Sequence, residues 1–246
     1  MCPAFGHQGV VDLTDGMPMR VLGFYEPTSP PVVTDSLVII SGAVTDNYST
    51  HEPSGVTRAY DLYSGALVWA FDAGNPDPNA LPSATHQYTP NSPNSWIVSA
   101  YDAKLGLIYI PTGVATPDIW GGNRTDVQER YASGILALDA KTGHKVWFYQ
   151  TVHHDLWDMD VPAQPSLIDL TQADGTVVPA LYAPTKTGNI FVLDRRNGQL
   201  LVPAPEQAVP QGAAAGDPVP PTQPSSQITF RPHNTPTDRA QSGATT

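Results

Sequence analysis

The sequence holds a single cysteine, Cys2, so no intrachain disulfide can form, and that scarcity says little about redox compartment. Positive charge is also scarce. Twelve Lys and Arg face 23 Asp and Glu, a net charge of −11, which argues against a nucleic-acid surface built on clustered basic residues. No stretch approaches the roughly 18 apolar residues of a membrane span, and no charged segment leads into an apolar one at the N-terminus. The chain is therefore expected to carry neither a membrane segment nor a targeting signal, whatever a longer parent carried. Charged residues make up only 14% of the chain.

Breakers are abundant. The 246 residues include 26 prolines and 20 glycines spread throughout, a pattern of short strands and many loops rather than helices. Four segments share one spacing: Asp, Gly four residues on, and an apolar residue four further. They are Asp61-Gly65-Trp69, Asp102-Gly106-Ile110, Asp139-Gly143-Trp147 and Asp194-Gly198-Val202. Apolar residues precede each Asp. This reads as strand, tight turn, strand, with the carboxylate capping turn amides and Gly accepting positive φ. Further strands are expected at 37–40, 96–100 and 181–183, and a helical turn at 125–132 with Thr125 as cap and Glu129 near capping-box spacing. Together these give an all-β chain of about three four-stranded β-propeller blades, a β-sandwich being the alternative. Residues 1–203 form the blade region. Residues 204–246, rich in Pro, Ala and Gln, form an extended or disordered tail.

The densest polar cluster is His153-His154-Asp155-Leu156-Trp157-Asp158-Met159-Asp160, directly after an expected strand. Adjacent histidines on an extended chain point opposite ways, which disfavours zinc. A turn capped by carboxylates and a hard-cation and general-base site both remain open. Other strand exits and entrances add the Asp46 carboxylate, oxygen ligands in the segment 113–123, Trp96 as an indole and Lys186 as an ammonium. Trp96 and Lys186 each also have a structural reading, inter-blade packing for the indole and a solvated turn for the lysine.

Long strings, among them VTDNYST, NSPNSW, TPDIWGGNRT, YQTVHHDLWDMDVPAQPSL and KTGNIFVLDRRNGQL, resemble the membrane-bound pyrroloquinoline quinone (PQQ)-dependent glucose dehydrogenases, within the wider PQQ-dependent alcohol dehydrogenase family. The resemblance implies part of an eight-bladed propeller. It implies oxidation of D-glucose and other aldoses to the lactone, with PQQ accepting hydride and ubiquinone taking the electrons, at the periplasmic face of the bacterial inner membrane. On this likeness Asp158 is the catalytic base and a metal ligand. Asp46 and Thr116 hold Ca²⁺, or Mg²⁺ in its place, with Thr116 also meeting the cofactor. Trp96 stacks on the quinone ring and Lys186 bonds its oxygens. A quinate or shikimate dehydrogenase is the alternative within the family, and a non-catalytic propeller scaffold is the alternative outside it. The family's proteins are about three times longer. Three blades cannot close a ring, and little activity is expected of this chain alone. Residues 233–246 depart from the family pattern.

Overall fold

A computed structural model of the chain describes residues 2–231, so the divergent segment 233–246 lies outside the described residues. The strands run in chain order as β1 (Tyr25–Glu26), β2 (Val32–Val33), β3 (Leu37–Ile40), β4 (Ala43–Val44), β5 (Thr57–Asp61), β6 (Leu67–Phe71), β7 (Ala100–Asp102) and β8 (Leu107–Thr112). After the one-turn helix α1 (Asp126–Glu129) come β9 (Gly134–Asp139), β10 (Lys145–Gln150), β11 (Ser166–Thr171), β12 (Val177–Pro184), β13 (Ile190–Asp194), β14 (Glu206–Ala208) and β15 (Thr222–Pro224). Three antiparallel sheets carry the architecture: β2-β3-β5-β6, β7-β8-β9-β10 and β11-β12-β13. The third gains only a single bridge, Leu193 to Leu200, where a fourth strand was expected. These are propeller blades, and among the described residues they do not close a ring.

The repeated turns form as their spacing predicts. Asp61, Asp102, Asp139 and Asp194 each accept a hydrogen bond from the amide two residues on, at 2.9–3.1 Å. The amides of Gly65, Gly106, Gly143 and Gly198 then close onto the same Asp carbonyls, with φ between +67° and +74°. The expected strand at 96–100 begins only at Ala100. Its first residues are held by side chains instead: the Trp96 carbonyl accepts from Thr28 and Ser29, and the Ser99 carbonyl from Gln164. The helix is shorter than expected, and Gln128, not Glu129, completes the capping box with Thr125.

Period-two alternation buries the middle sheet on both faces. Leu136 and Leu138 of β9 pack with Leu37, Ile39 and Trp69 of the first sheet, while Ile135 and Ala137 pack with Leu181 and Leu193 of the third. Each inter-sheet seam is closed by an indole. Trp69 lies against the Gly143 turn of the middle sheet and donates from Nε1 to the Ala140 carbonyl at 3.0 Å. Trp147 repeats this on the Gly198 turn of the third sheet, with the Arg195 carbonyl as acceptor at 3.1 Å. The Arg195 guanidinium is buried in that seam, reaching Asp102 of the middle sheet at 2.6 Å and Asp169 of its own at 3.0 Å. Residues 204–231 run back along the blades: β14 pairs with β15, and Asn189 bridges to Thr229.

A Cβ at Gly143 would sit 2.5 Å from the Trp69 ring, whereas one at Gly106 would meet nothing within 4 Å at nearly the same φ. Gly106→Ala is therefore expected to cost only backbone strain, about 1–2 kcal/mol. Gly143→Ala adds an overpacking cost of about 1–3 kcal/mol, read from urea unfolding midpoints. Equal losses in the two variants would refute the packing role assigned to Gly143.

Candidate active site

The loops leaving the three sheets converge on a cavity of about 150 Å³ lined by Ala43, Val44, Asp46, Asn94, Trp96, Val114, Asp118, Asp158, Asp160 and Lys186. Asp46 follows β4, Trp96 precedes β7, Asp118 follows β8, Asp158 and Asp160 follow β10, and Lys186 sits in the β12–β13 turn. Four of the five residues singled out in the sequence thus meet here.

Asp160 is the hub. It is buried, its Oδ2 accepts from the Trp96 indole at 2.9 Å and from Lys186 Nζ at 3.2 Å, and its Oδ1 accepts from the Val114 amide at 3.1 Å. A side chain at Gly113 would meet Asp160 Oδ1 at 2.7 Å, so a glycine there lets the carboxylate approach the strand. Lys186 Nζ also donates to Asp158 Oδ2 at 3.0 Å and stands 5.5 Å from the Trp96 ring centroid. Asp158 itself is partly exposed and adopts a left-handed backbone, φ +55°. Across the cavity Asn47, also left-handed at φ +55°, accepts from the Asp118 amide at 2.9 Å.

Four carboxylates share this space with one ammonium. Burial, then a hydrogen bond and repulsion from Asp46, pushes the Asp118 carboxyl up to about 8. Burial also raises Asp160, to about 6; the Trp96 hydrogen bond opposes the rise and Asp158 adds to it. Burial alone lowers the Lys186 ammonium, but hydrogen bonds and charge from Asp158 and Asp160 outweigh it, and the net shift is upward. Two buried carboxyls, Asp118 and Asp160, are thus pushed toward their protonated forms, while Asp158 lies at the more exposed side of the cavity.

Thr116 is not part of it. Its hydroxyl accepts from the Asn91 amide at 3.0 Å, its carbonyl accepts from the same group at 3.1 Å, and it lines a separate depression of about 350 Å³ with Asn91 and Gln128. Asp118, two residues on, faces the cavity instead, because Arg124 holds the loop by its Pro117 and Asp118 carbonyls at 3.2 and 2.7 Å. Sequence reasoning passed over Asp118 and Asn94 as site residues. The available signal was a lone carboxylate in the quoted TPDIWGGNRT string. The paired histidines part company: His153 bonds Gln150 and Glu206, while His154 bridges Glu129 and Asp217. Among the described residues no three His, Cys, Asp or Glu side chains form a preassembled metal-holding group. No helix among them is long and apolar enough to cross a membrane.

The chain is 63% identical over 232 residues to the quinoprotein glucose dehydrogenase of Escherichia coli (strain K12), an alignment covering 94% of this chain and 29% of that protein. It is 41% identical over 226 residues to the quinate/shikimate dehydrogenase (quinone) of Acinetobacter baylyi, covering 92% of this chain and 28% of the other. The chain thus spans about three-tenths of the length of these curated relatives. Among solved structures, the quinohemoprotein alcohol dehydrogenase ADHIIG of Pseudomonas putida HK5 superposes with a TM-score of 0.57 at 27% identity, over 77% of this chain and 30% of that one. The family model for the PQQ glucose/ethanol/alcohol dehydrogenase β-propeller domain matches residues 1–246, and the chain belongs to that family.

Proposed function

We propose that this chain supplies one face of the cofactor site of a PQQ- and Ca²⁺-dependent dehydrogenase that oxidises D-glucose and related aldoses to the lactone. The observation that carries the reading is one cavity in which the Lys186 ammonium, from the third sheet, stands 3.0 Å from the partly exposed Asp158 carboxylate and 5.5 Å from the Trp96 ring centroid, both of which flank the middle sheet.

The donor set fits the chemistry. PQQ, when bound, supplies the two-electron acceptor for the substrate hydride. Trp96 offers a flat aromatic face, and Lys186 offers N–H donors suited to electron-rich oxygens. At about 150 Å³ the cavity is well below the ~300 Å³ floor for small-molecule pockets, so these residues account for part of a site. A hard cation would draw on the Asp46 and Asp118 carboxylates, with neutral oxygens such as Asn94 completing its shell. In this reading Asp118, which lines the cavity, supplies the carboxylate beside Asp46, while Thr116, whose hydroxyl Asn91 engages, lines the neighbouring depression.

Asp158 is the base in this reading. It is the most exposed of the carboxylates that contact Lys186, and it would accept the proton of the sugar's anomeric hydroxyl, a contribution typically worth ~10² to 10⁴-fold. Lys186 donates to Asp158 Oδ2 at 3.0 Å and faces the place where negative charge develops. For the full-length protein, ubiquinone as final acceptor and a periplasmic location rest on the likeness to the glucose dehydrogenases. The substrate reading is supported by 63% identity to a glucose enzyme against 41% to a quinate/shikimate enzyme.

Adding PQQ with Ca²⁺ to the chain is expected to quench tryptophan fluorescence, and Trp96→Leu is expected to abolish most of that quenching. Quenching that persists in the variant removes Trp96 from the site. Dye-linked oxidation of glucose is expected to be weak in the chain by itself and abolished by Asp158→Asn; turnover that survives that substitution excludes Asp158 as the base.

Proton storage in the cavity also sets a pH dependence. Asp118 and Asp160 titrate above the ~3.9 of an unfolded Asp, so the folded chain binds more protons between those values. Their contribution to stability is full below about pH 4 and is lost as pH rises through about 6 and about 8. In calcium-free buffer the melting temperature is expected to fall across that window, and Asp118→Asn to flatten the upper part of the fall. A slope unchanged by the substitution rules Asp118 out as its source.

A further inference from the structure

Resting on the reading of Asp158 as the base, we infer that the neighbouring buried carboxylate, Asp155, is the positioning residue that sets the backbone of that base. Asp155 is 1% exposed and does not line the cavity. Its Oδ1 accepts the Trp157 amide at 2.9 Å, and its Oδ2 accepts the Met159 amide at 2.6 Å. These are the amides on either side of Asp158. One carboxylate therefore clamps both flanks of the residue that must present the acceptor oxygen.

Without such a clamp Asp158 has little reason to stay where it is. Its φ of +55° is a left-handed conformation that costs an L-residue free energy relative to the right-handed region, and His154 nearby is left-handed too, at φ +40°. A charged acceptor for two consecutive-flank amides offsets that cost, since hydrogen bonds to an ionised carboxylate are stronger than neutral ones. The clamp is anchored to the middle sheet. Ser133 Oγ donates to Asp155 Oδ2 at 2.9 Å, and the Ser133 amide donates to the Gly113 carbonyl at 3.0 Å, at the foot of the strand that leads to Asp118. The Ser133 carbonyl accepts from the Thr151 hydroxyl at 2.8 Å. Arg124, which holds the Pro117 and Asp118 carbonyls, also donates to the Asp155 carbonyl at 2.6 Å. The base and the opposite carboxylate are thus referred to the same rigid frame.

Three donors and no cation meet the Asp155 carboxylate side chain, so the geometry separates its role from that of a general structural ion pair. Asparagine at this position has one acceptor oxygen and can serve only one of the two amides. Alanine serves neither.

The test is amide hydrogen exchange by NMR on the full chain without cofactor, read with the backbone chemical shifts of Asp158 that report positive φ. In Asp155→Ala, exchange at the Trp157 and Met159 amides is expected to accelerate roughly tenfold or more, as loss of a charge-assisted hydrogen bond implies. The Asp158 shifts are expected to leave their positive-φ values, while amides in the middle of β9 keep wild-type protection. Asp155→Asn is expected to retain protection at one of the two amides. Should Asp155→Ala fail to fold, Ser133→Ala, which removes one donor from the clamp, is expected to move the same Asp158 shifts. Wild-type protection at both amides with unmoved Asp158 shifts, in either folded Asp155 variant, overturns the proposal. Titration with PQQ and Ca²⁺ separates the two layers: the Asp155 variants are expected to keep the wild-type quenching midpoint within about twofold, because Trp96 and Lys186 both remain bonded to Asp160. A wild-type chain that shows no quenching retires the cofactor reading, while the exchange data still decide whether Asp155 holds Asp158.

Discussion

The contact on which everything else depends is the docking of an indole from one sheet onto the glycine turn of the next. Trp69 on Gly143 and Trp147 on Gly198 do the same work at successive seams, each adding an Nε1 hydrogen bond to a turn carbonyl. The device joins two requirements. The turn needs Gly for its positive φ, and the absence of a Cβ at that same Gly makes a flat surface for the aromatic ring. A sheet that turns correctly is therefore already prepared to receive its neighbour.

Fixing the seams also fixes the distance between strand exits. The cavity draws on three sheets, with Asp46 leaving the first, Asp118, Asp158 and Asp160 the second, and Lys186 the third. A small rotation of one sheet would separate Lys186 from Asp158 and Asp160, which it meets at 3.0 and 3.2 Å. Buried Arg195 strengthens the seam nearest Lys186, pairing across it with Asp102. The charge balance of the cavity depends on the same geometry. Burial and neighbouring carboxylates shift Asp118 and Asp160 upward, and the single ammonium is bonded to both Asp158 and Asp160.

Much of the fold could be read directly. The four Asp-Gly turns are local events, each settled within four residues by a carboxylate cap and a positive-φ glycine, and all four formed. Trp96, Asp158, Asp46 and Lys186 were all placed at strand ends and do share one cavity. Reading failed where one side chain intervened from afar. Residues 96–99 did not join the ladder because Thr28, Ser29 and Gln164 took their carbonyls. Thr116 lines a separate depression, where Asn91 engages its hydroxyl, and Asp118 faces the cavity on a loop held by Arg124. Nothing in the local sequence around Thr116 announces either partner.

The sequence by itself determined the turns, the alternation that makes the middle sheet two-faced, and the residue types a cofactor site would need. These follow from backbone conformation and periodicity, which act over a few residues. Only the tertiary structure decided which carboxylates face the cavity, that Asp160 ties Trp96 to Lys186, and that Asp155 sits behind Asp158. Most of those contacts join residues 26 to 71 positions apart, and they exist only once the indole seams have brought the sheets into register. The Asp155 clamp is the instructive exception. It spans only four residues, yet a carboxylate beside two amides has the same sequence signature whether it caps a surface turn or fixes the backbone of a cavity residue. Its burial against Ser133 of the middle sheet is what tells the two apart.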